Sequence, residues 1–190
     1  MDERTARSLE EAINTAKDVL DSLVKQIPLI ESASKKIADA LRSGNKVVCC
    51  GNGGSGCHAN HLVSELVGHY RRHRSALPAI SLSPDGTLLS CLGNDFSFEY
   101  IFSRQIEALG YPNDVLICFS TSGNSRNIIR AIETGRSRQL VTIALLGGTG
   151  GQAKGLSDIE VIVSHSETAR VQEAHHFLVH GIMDAIENSM

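Results

Sequence analysis

The chain has 190 residues, 42% of them apolar and 21% charged, with a formal net charge of -3. That size suits one domain with a real core, and a near-neutral balance, with Arg71-Arg72-His73-Arg74 only a local basic run, excludes a broad nucleic-acid-binding face. No apolar run approaches the ~20 residues of a membrane span, and Met1–Ile13 is charged and helix-like without a signal-peptide core, so a cytoplasmic protein is expected.

Leu9–Leu23 and Leu29–Leu41 carry apolar residues at helical spacing, and Pro28 separates them. Gly44, in Ser43-Gly44-Asn45, suits a left-handed cap at the end of the second helix. Short apolar runs then alternate with helical patterns. Strands are expected at Val47–Cys50, Ala79–Leu82, Val115–Phe119, Val141–Leu145 and Ile159–Val163. Helices are expected at Gly56–Tyr70, Gly86–Leu92, Tyr100–Leu109, Ser125–Arg138 and Thr168–Asn188. Helical crossovers between buried strands predict a parallel sheet covered on both faces. The organisation expected is one domain over 1–190, with N-terminal helices at 1–44 and an α/β core at 45–190. Cys49, Cys50, Cys57, Cys91 and Cys118 are odd in number, and three sit in apolar runs, which reads as reduced thiols rather than a disulfide frame.

Two strand-to-helix turns stand out. Val47–Ser55 reads V-V-C-C-G-N-G-G-S, and Val115–Ser125 reads V-L-I-C-F-S-T-S-G-N-S. A helix N-terminus offers unpaired N–H groups and a positive dipole end, hydroxyls add donors, and glycine admits close approach. The first turn lacks both the dinucleotide fingerprint and the Gly-Lys-Ser/Thr of a triphosphate loop. The second holds Ser120, Thr121, Ser122 and Ser125, more hydroxyls than one cap needs. Together they predict a phosphate-bearing ligand. His61 and Glu65 lie four apart on the helix after the first turn, and Gln172, His176 and His180 are spaced by four on the last helix. Such groups serve proton transfer, a divalent metal, or simply a salt-bridged solvated face. His69, His73 and His175 read as surface residues.

Taken together, the chain resembles the sugar isomerase (SIS) domain, and within it the D-sedoheptulose 7-phosphate isomerase (phosphoheptose isomerase) family. The resemblance is carried by Cys50-Gly51-Asn52-Gly53-Gly54-Ser55, His61 with Glu65, Gly93-Asn94-Asp95-Phe96, Phe102-Ser103-Arg104-Gln105, Ser120 through Ser125, and Arg170-Val171-Gln172-Glu173. It implies a three-layer α/β fold with a five-stranded parallel sheet between helices, preceded by N-terminal helices. It also implies a homotetramer with sites at subunit interfaces. It implies that Asn52, Gly53, Ser55, Asn94, Asp95, Ser120, Thr121, Ser122, Ser125 and Gln172 bind a phosphorylated seven-carbon sugar. Glu65 and His180 match the family's acid–base pair, and His61, Glu65, Gln172 and His180 match its zinc positions, one ion per subunit. Gln172 and His180 are about 80° apart around an ideal helix, so spacing alone does not bring them together. A carboxylate fully engaged by zinc is also a poorer base. The family often has Arg where this chain has His69, and Asp where it has His58. The alternative is a non-catalytic SIS-domain adaptor or phosphosugar sensor, which the retained Glu65, His180 and S-T-S-G-N-S turn disfavour.

Overall fold

In the computed structural model, which describes residues 3–190 with side chains from residue 7, the five apolar runs form one parallel sheet. Residues 1 and 2 of the helix-like stretch Met1–Ile13 lie outside the described residues. The strands are β1 (Val47–Gly51), β2 (Ala79–Ser81), β3 (Val115–Ser120), β4 (Val141–Gly147) and β5 (Ile159–Val163), in the order β2-β1-β3-β4-β5. Helices α1 (Glu3–Ser22) and α2 (Ile27–Arg42) precede the sheet. The others are α3 (Gly54–Val67), α4 (Gly86–Asp95), α5 (Ser103–Leu109), α6 (Arg126–Ser137) and α7 (Thr168–Ser189). The helix expected over Tyr100–Leu109 is instead a 3-10 turn at Phe98–Tyr100 followed by α5.

Alternation along each strand builds two cores. Val47, Cys49, Ile117, Phe119 and Leu145 pack with Ile37 of α2, Leu62 of α3 and Val179 of α7. Val48, Cys50, Leu116, Cys118 and Leu146 point the other way, onto Ile106 of α5 and Ile128 and Ile132 of α6. Along β1, β3 and β4 both sheet faces are therefore dry, which is why those strands read as continuous apolar runs. Pro28 sits in the first turn of α2, where its missing N–H costs nothing, and Gly44 closes that helix at φ +83°. All five cysteines are free, with Cys49, Cys50 and Cys118 buried in the strands. Among the described residues, no helix is long and apolar enough to cross a membrane.

The strand order places β1 and β3 side by side with their crossovers leaving in opposite directions. In open parallel sheets the crevice at such a switch point, beyond the carboxyl ends of the strands, is where ligands bind. Both glycine turns leave the sheet there, because Gly51 pairs in register with Phe119.

The ends of α3 and α7 are tied by one buried carboxylate. Glu187 accepts hydrogen bonds from the backbone N–H groups of Tyr70, Arg71 and Arg72 at 3.0–3.1 Å and from Arg74 Nε at 3.2 Å. Burial pushes its carboxyl up, but the N–H donors of Arg71, Tyr70 and Arg72 and the Arg74 guanidinium outweigh burial and hold it below the usual carboxylate range. A depressed folded-state pKa means that this stabilisation is complete above the ordinary value of 4.5 and is lost as pH falls through the folded-state value. Glu187→Ala leaves three N–H groups without their acceptor. Urea unfolding at pH 7 should show a loss of about 2–4 kcal/mol, shrinking as the pH is lowered below about 4.5.

Candidate active site

The first turn is short because glycine permits it. Gly53 has φ +52°, and a side chain at Gly51 would collide with the backbone of Ser55 at the start of α3. Asn52, between them, exchanges two amide hydrogen bonds with Asn127 of α6, at 2.9 and 2.8 Å. That pair locks the two turns side by side. Ser55 is buried at the start of α3 and Ser120 at the end of β3, only 4% and 3% exposed.

In the second turn Ser120 Oγ accepts from the Gly123 N–H and Ser122 Oγ from the Asn124 N–H, both at 3.1 Å. Each hydroxyl used this way as an acceptor keeps its O–H for a guest. Ser125 begins α6 without a side-chain capping bond, and Thr121 is half-buried between Ser120 and Ser122. The N-termini of α3 and α6 therefore converge on one crevice with hydroxyl donors between them, an arrangement suited to a phosphate. Gln172 of α7 joins this end of the site: a Cβ added at Gly54 would strike its amide. Asn94 and Asp95 are exposed at the end of α4 and bond to each other at 2.9 Å.

The titratable cluster lies further along α3, where that helix packs on α7. His61 Nε2 is 3.6 Å from Glu65 Oε1 and 3.0 Å from His180 Nε2. His176 completes the group: its ring stacks on His61 at 4.8 Å and meets His180 edge-on at 4.8 Å. One ligand atom from each of His61, His176 and His180 lies within 4.8 Å of the others. Tyr70, held by Glu187 as described, stacks on His180 at 5.4 Å. Arg74 donates to the Glu65 carbonyl at 2.6 Å, which fixes the end of α3.

A family profile described as the SIS domain matches residues 11–147. The protein of Vibrio cholerae serotype O1 named phosphoheptose isomerase is 46% identical over 182 residues, covering 94% of this chain and 95% of that protein. The phosphoheptose isomerase of Haemophilus ducreyi is 47% identical over 182 residues, covering 94% and 93%. The chain belongs to the phosphoheptose isomerase family of SIS-domain proteins. The solved structure of phosphoheptose isomerase GmhA from Neisseria gonorrhoeae matches at TM-score 0.85 and 36% identity, covering 98% of each chain. That of a phosphoheptose isomerase from Francisella tularensis matches at TM-score 0.89 and 35% identity, covering 98% of this chain and 97% of that one.

For a phosphoheptose isomerase family chain, one histidine departs from the sequence expectation. His175, read as a surface residue, is fully buried, with Nε2 3.4 Å from the Leu146 carbonyl oxygen and Nδ1 buried without a partner. Desolvation pulls its pKa down to about 4, so the ring is neutral at ordinary pH. The signal was present in the sequence: His175 falls in the apolar stripe Val171, Ala174, Leu178, Val179 and Ile182 that faces the sheet. His69 and His73 are exposed, as expected. The contact of His176 with His61 was not legible, because spacing on α7 gives no account of what α3 presents to it.

Proposed function

We propose that this chain is an aldose–ketose isomerase that converts D-sedoheptulose 7-phosphate to D-glycero-D-manno-heptose 7-phosphate, or a close epimer, through an enediol. The observation that carries this reading is an anion crevice with a carboxylate of α3, and imidazoles of α3 and α7, set apart from it along α3. Ser55 and Glu65 are ten residues apart on α3, roughly 15 Å along its axis. A sugar phosphorylated on its last carbon and reacting at its first two requires that kind of separation. The similarity to proteins named phosphoheptose isomerase supports the same substrate. The adaptor alternative has no observation in its favour.

In this reading, Ser55, Ser120, Thr121, Ser122 and Ser125 surround the phosphate. Asn52, Asn94 and Asp95 lie near the sugar hydroxyls, and Gly53 and Gln172 also bind the substrate. Glu65 removes the carbon-bound proton and returns it to the neighbouring carbon, and His180 moves a proton between the two oxygens. Zinc, one ion per subunit, fits the donors present: clustered imidazole nitrogens beside a carboxylate are a set that zinc takes. A bound ion would supply stabilisation of the enediolate charge. The whole of 1–190 serves as one domain, working in the cytoplasm. Leu9, Ile13, Val24, Ile27 and Leu29 are exposed along the N-terminal helices, apolar surface that a homotetramer would cover.

Incubation with sedoheptulose 7-phosphate in heavy water tests the enediol route. The expected product is an aldose carrying deuterium at the carbon next to the carbonyl. Absence of both aldose and label would overturn the assignment.

A further inference from the structure

We propose that the connection between α3 and β2, residues 68–78, is a strap that positions both proton-transfer groups, with Tyr70 as the positioning residue for His180 and Arg74 as that for Glu65. The inference rests on the isomerase reading, in which those two side chains exchange protons with the sugar. The connection contains neither helix nor strand, so side-chain anchors must give it its shape. The main anchor is Glu187 of α7. Its carboxylate, 4% exposed, accepts the backbone N–H groups of Tyr70, Arg71 and Arg72 and the Nε–H of Arg74. His180 and Glu187 are seven residues apart on α7, about two turns along one face. The helix that carries His180 thus also carries the anchor, which registers the strap against that face.

Tyr70 uses this register. Its ring lies 5.4 Å from that of His180 at an interplanar angle of 20°, whereas His61 and His176 meet His180 at 73° and 78°. Among the described residues, Tyr70 alone lays an aromatic ring nearly parallel to His180. Such a broad flat contact resists rotation about the imidazole Cβ–Cγ bond, a torsion that is otherwise soft. The Tyr70 ring is itself held. The Arg71 guanidinium lies 5.0 Å over it and pairs with Asp184, one turn from His180 on α7. No described residue hydrogen-bonds the Tyr70 hydroxyl, so the contact depends on the ring.

Arg74 acts on the other group. Glu65 lies in the last turn of α3, where carbonyls have no partner within the helix. Arg74 donates to the Glu65 carbonyl at 2.6 Å and to the Leu66 carbonyl at 2.8 Å while its Nε–H reaches Glu187. A guanidinium at that end caps the helix and complements its dipole, so the turn that carries Glu65 is kept from fraying. One buried carboxylate sets the strap, and the strap sets both the carboxylate and the imidazole. Proton transfer needs each within hydrogen-bond reach of the reacting atoms, so small displacements are costly.

Tyr70→Ala, Tyr70→Phe and Arg74→Lys in the full-length chain test this, with circular dichroism and melting curves to establish that each variant is folded. With sedoheptulose 7-phosphate, Tyr70→Ala should lower kcat by about 10–100-fold with KM little changed, because the anion crevice lies at the opposite end of α3. Tyr70→Phe keeps the ring and should keep the wild-type kcat. Arg74→Lys keeps the charge beside Glu187 but cannot fork onto two carbonyls, so kcat should fall by about 10-fold or more. Wild-type kcat in folded Tyr70→Ala or Arg74→Lys, or an equal loss in Tyr70→Phe, would overturn the proposal. Crystal structures of the wild type and Tyr70→Ala give a readout independent of turnover: removal of the Tyr70 ring should displace the His180 ring or split it between rotamers. A wild type without turnover sinks the isomerase reading, and the ring positions then decide this one. An unmoved His180 ring in Tyr70→Ala overturns it.

Discussion

Glu65→Gln is expected to lower isomerase turnover by about 10²–10⁴-fold, the contribution of a positioned proton-transfer group. Glutamine keeps the shape of the side chain and its exposure, so the fold should survive. The backbone there is independently held, because Arg74 grips the Glu65 carbonyl and Glu187 grips the loop that carries Arg74. The loss should therefore appear in kcat, with KM little changed, since the anion turns are untouched. A coupled assay for aldose formation checks this, alongside exchange of the carbon-bound proton with deuterated solvent. Exchange and turnover at the wild-type rate would remove Glu65 as the base. Metal content measured on the same sample separates loss of a base from loss of an ion.

Gly123→Ala should damage both stability and substrate binding. Gly123 has φ +64°, where any Cβ is strained, and an added Cβ would collide with the carbonyl of Gly150 in the neighbouring loop. Left-handed backbone costs a non-glycine residue about 1–2 kcal/mol and overpacking about 1–3 kcal/mol, so a loss of about 2–4 kcal/mol is expected by urea unfolding. Relief requires the S-T-S-G-N-S turn to move away from that loop, which breaks the Gly123 N–H bond to Ser120 Oγ and the Gln152 N–H bond to Asn124 Oδ1. KM should rise in variants that remain folded, with a smaller change in kcat. Unchanged stability and KM would mean that the turn is not held against Gly150 as described.

The comparison of α3 with α7 shows which part of the site was local. His61 and Glu65 lie on one face because a helix repeats every 3.6 residues, and the structure places them 3.6 Å apart. The same arithmetic relates His176 to His180. It leaves undetermined which residues of α7 meet His61, because that depends on how two helices more than a hundred residues apart in sequence rotate about their axes as they pack. Gln172 is the instructive case. Its amide lies beside Gly54 at the start of α3, a contact that spacing on α7 does not specify.

By itself the sequence determined the strands, the crossovers and the two glycine- and hydroxyl-rich turns. Those follow from residue-to-residue periodicity and from glycine and hydroxyl chemistry within a few positions of each other. Only the tertiary structure decided that His176 joins His61 and His180, that His175 is buried and neutral, and that Glu187 fastens Tyr70 against His180. These are outcomes of side-chain packing across the α3–α7 seam. A histidine there joins the imidazole cluster, the core or the surface according to the few degrees of helix rotation that burial of the apolar stripe imposes.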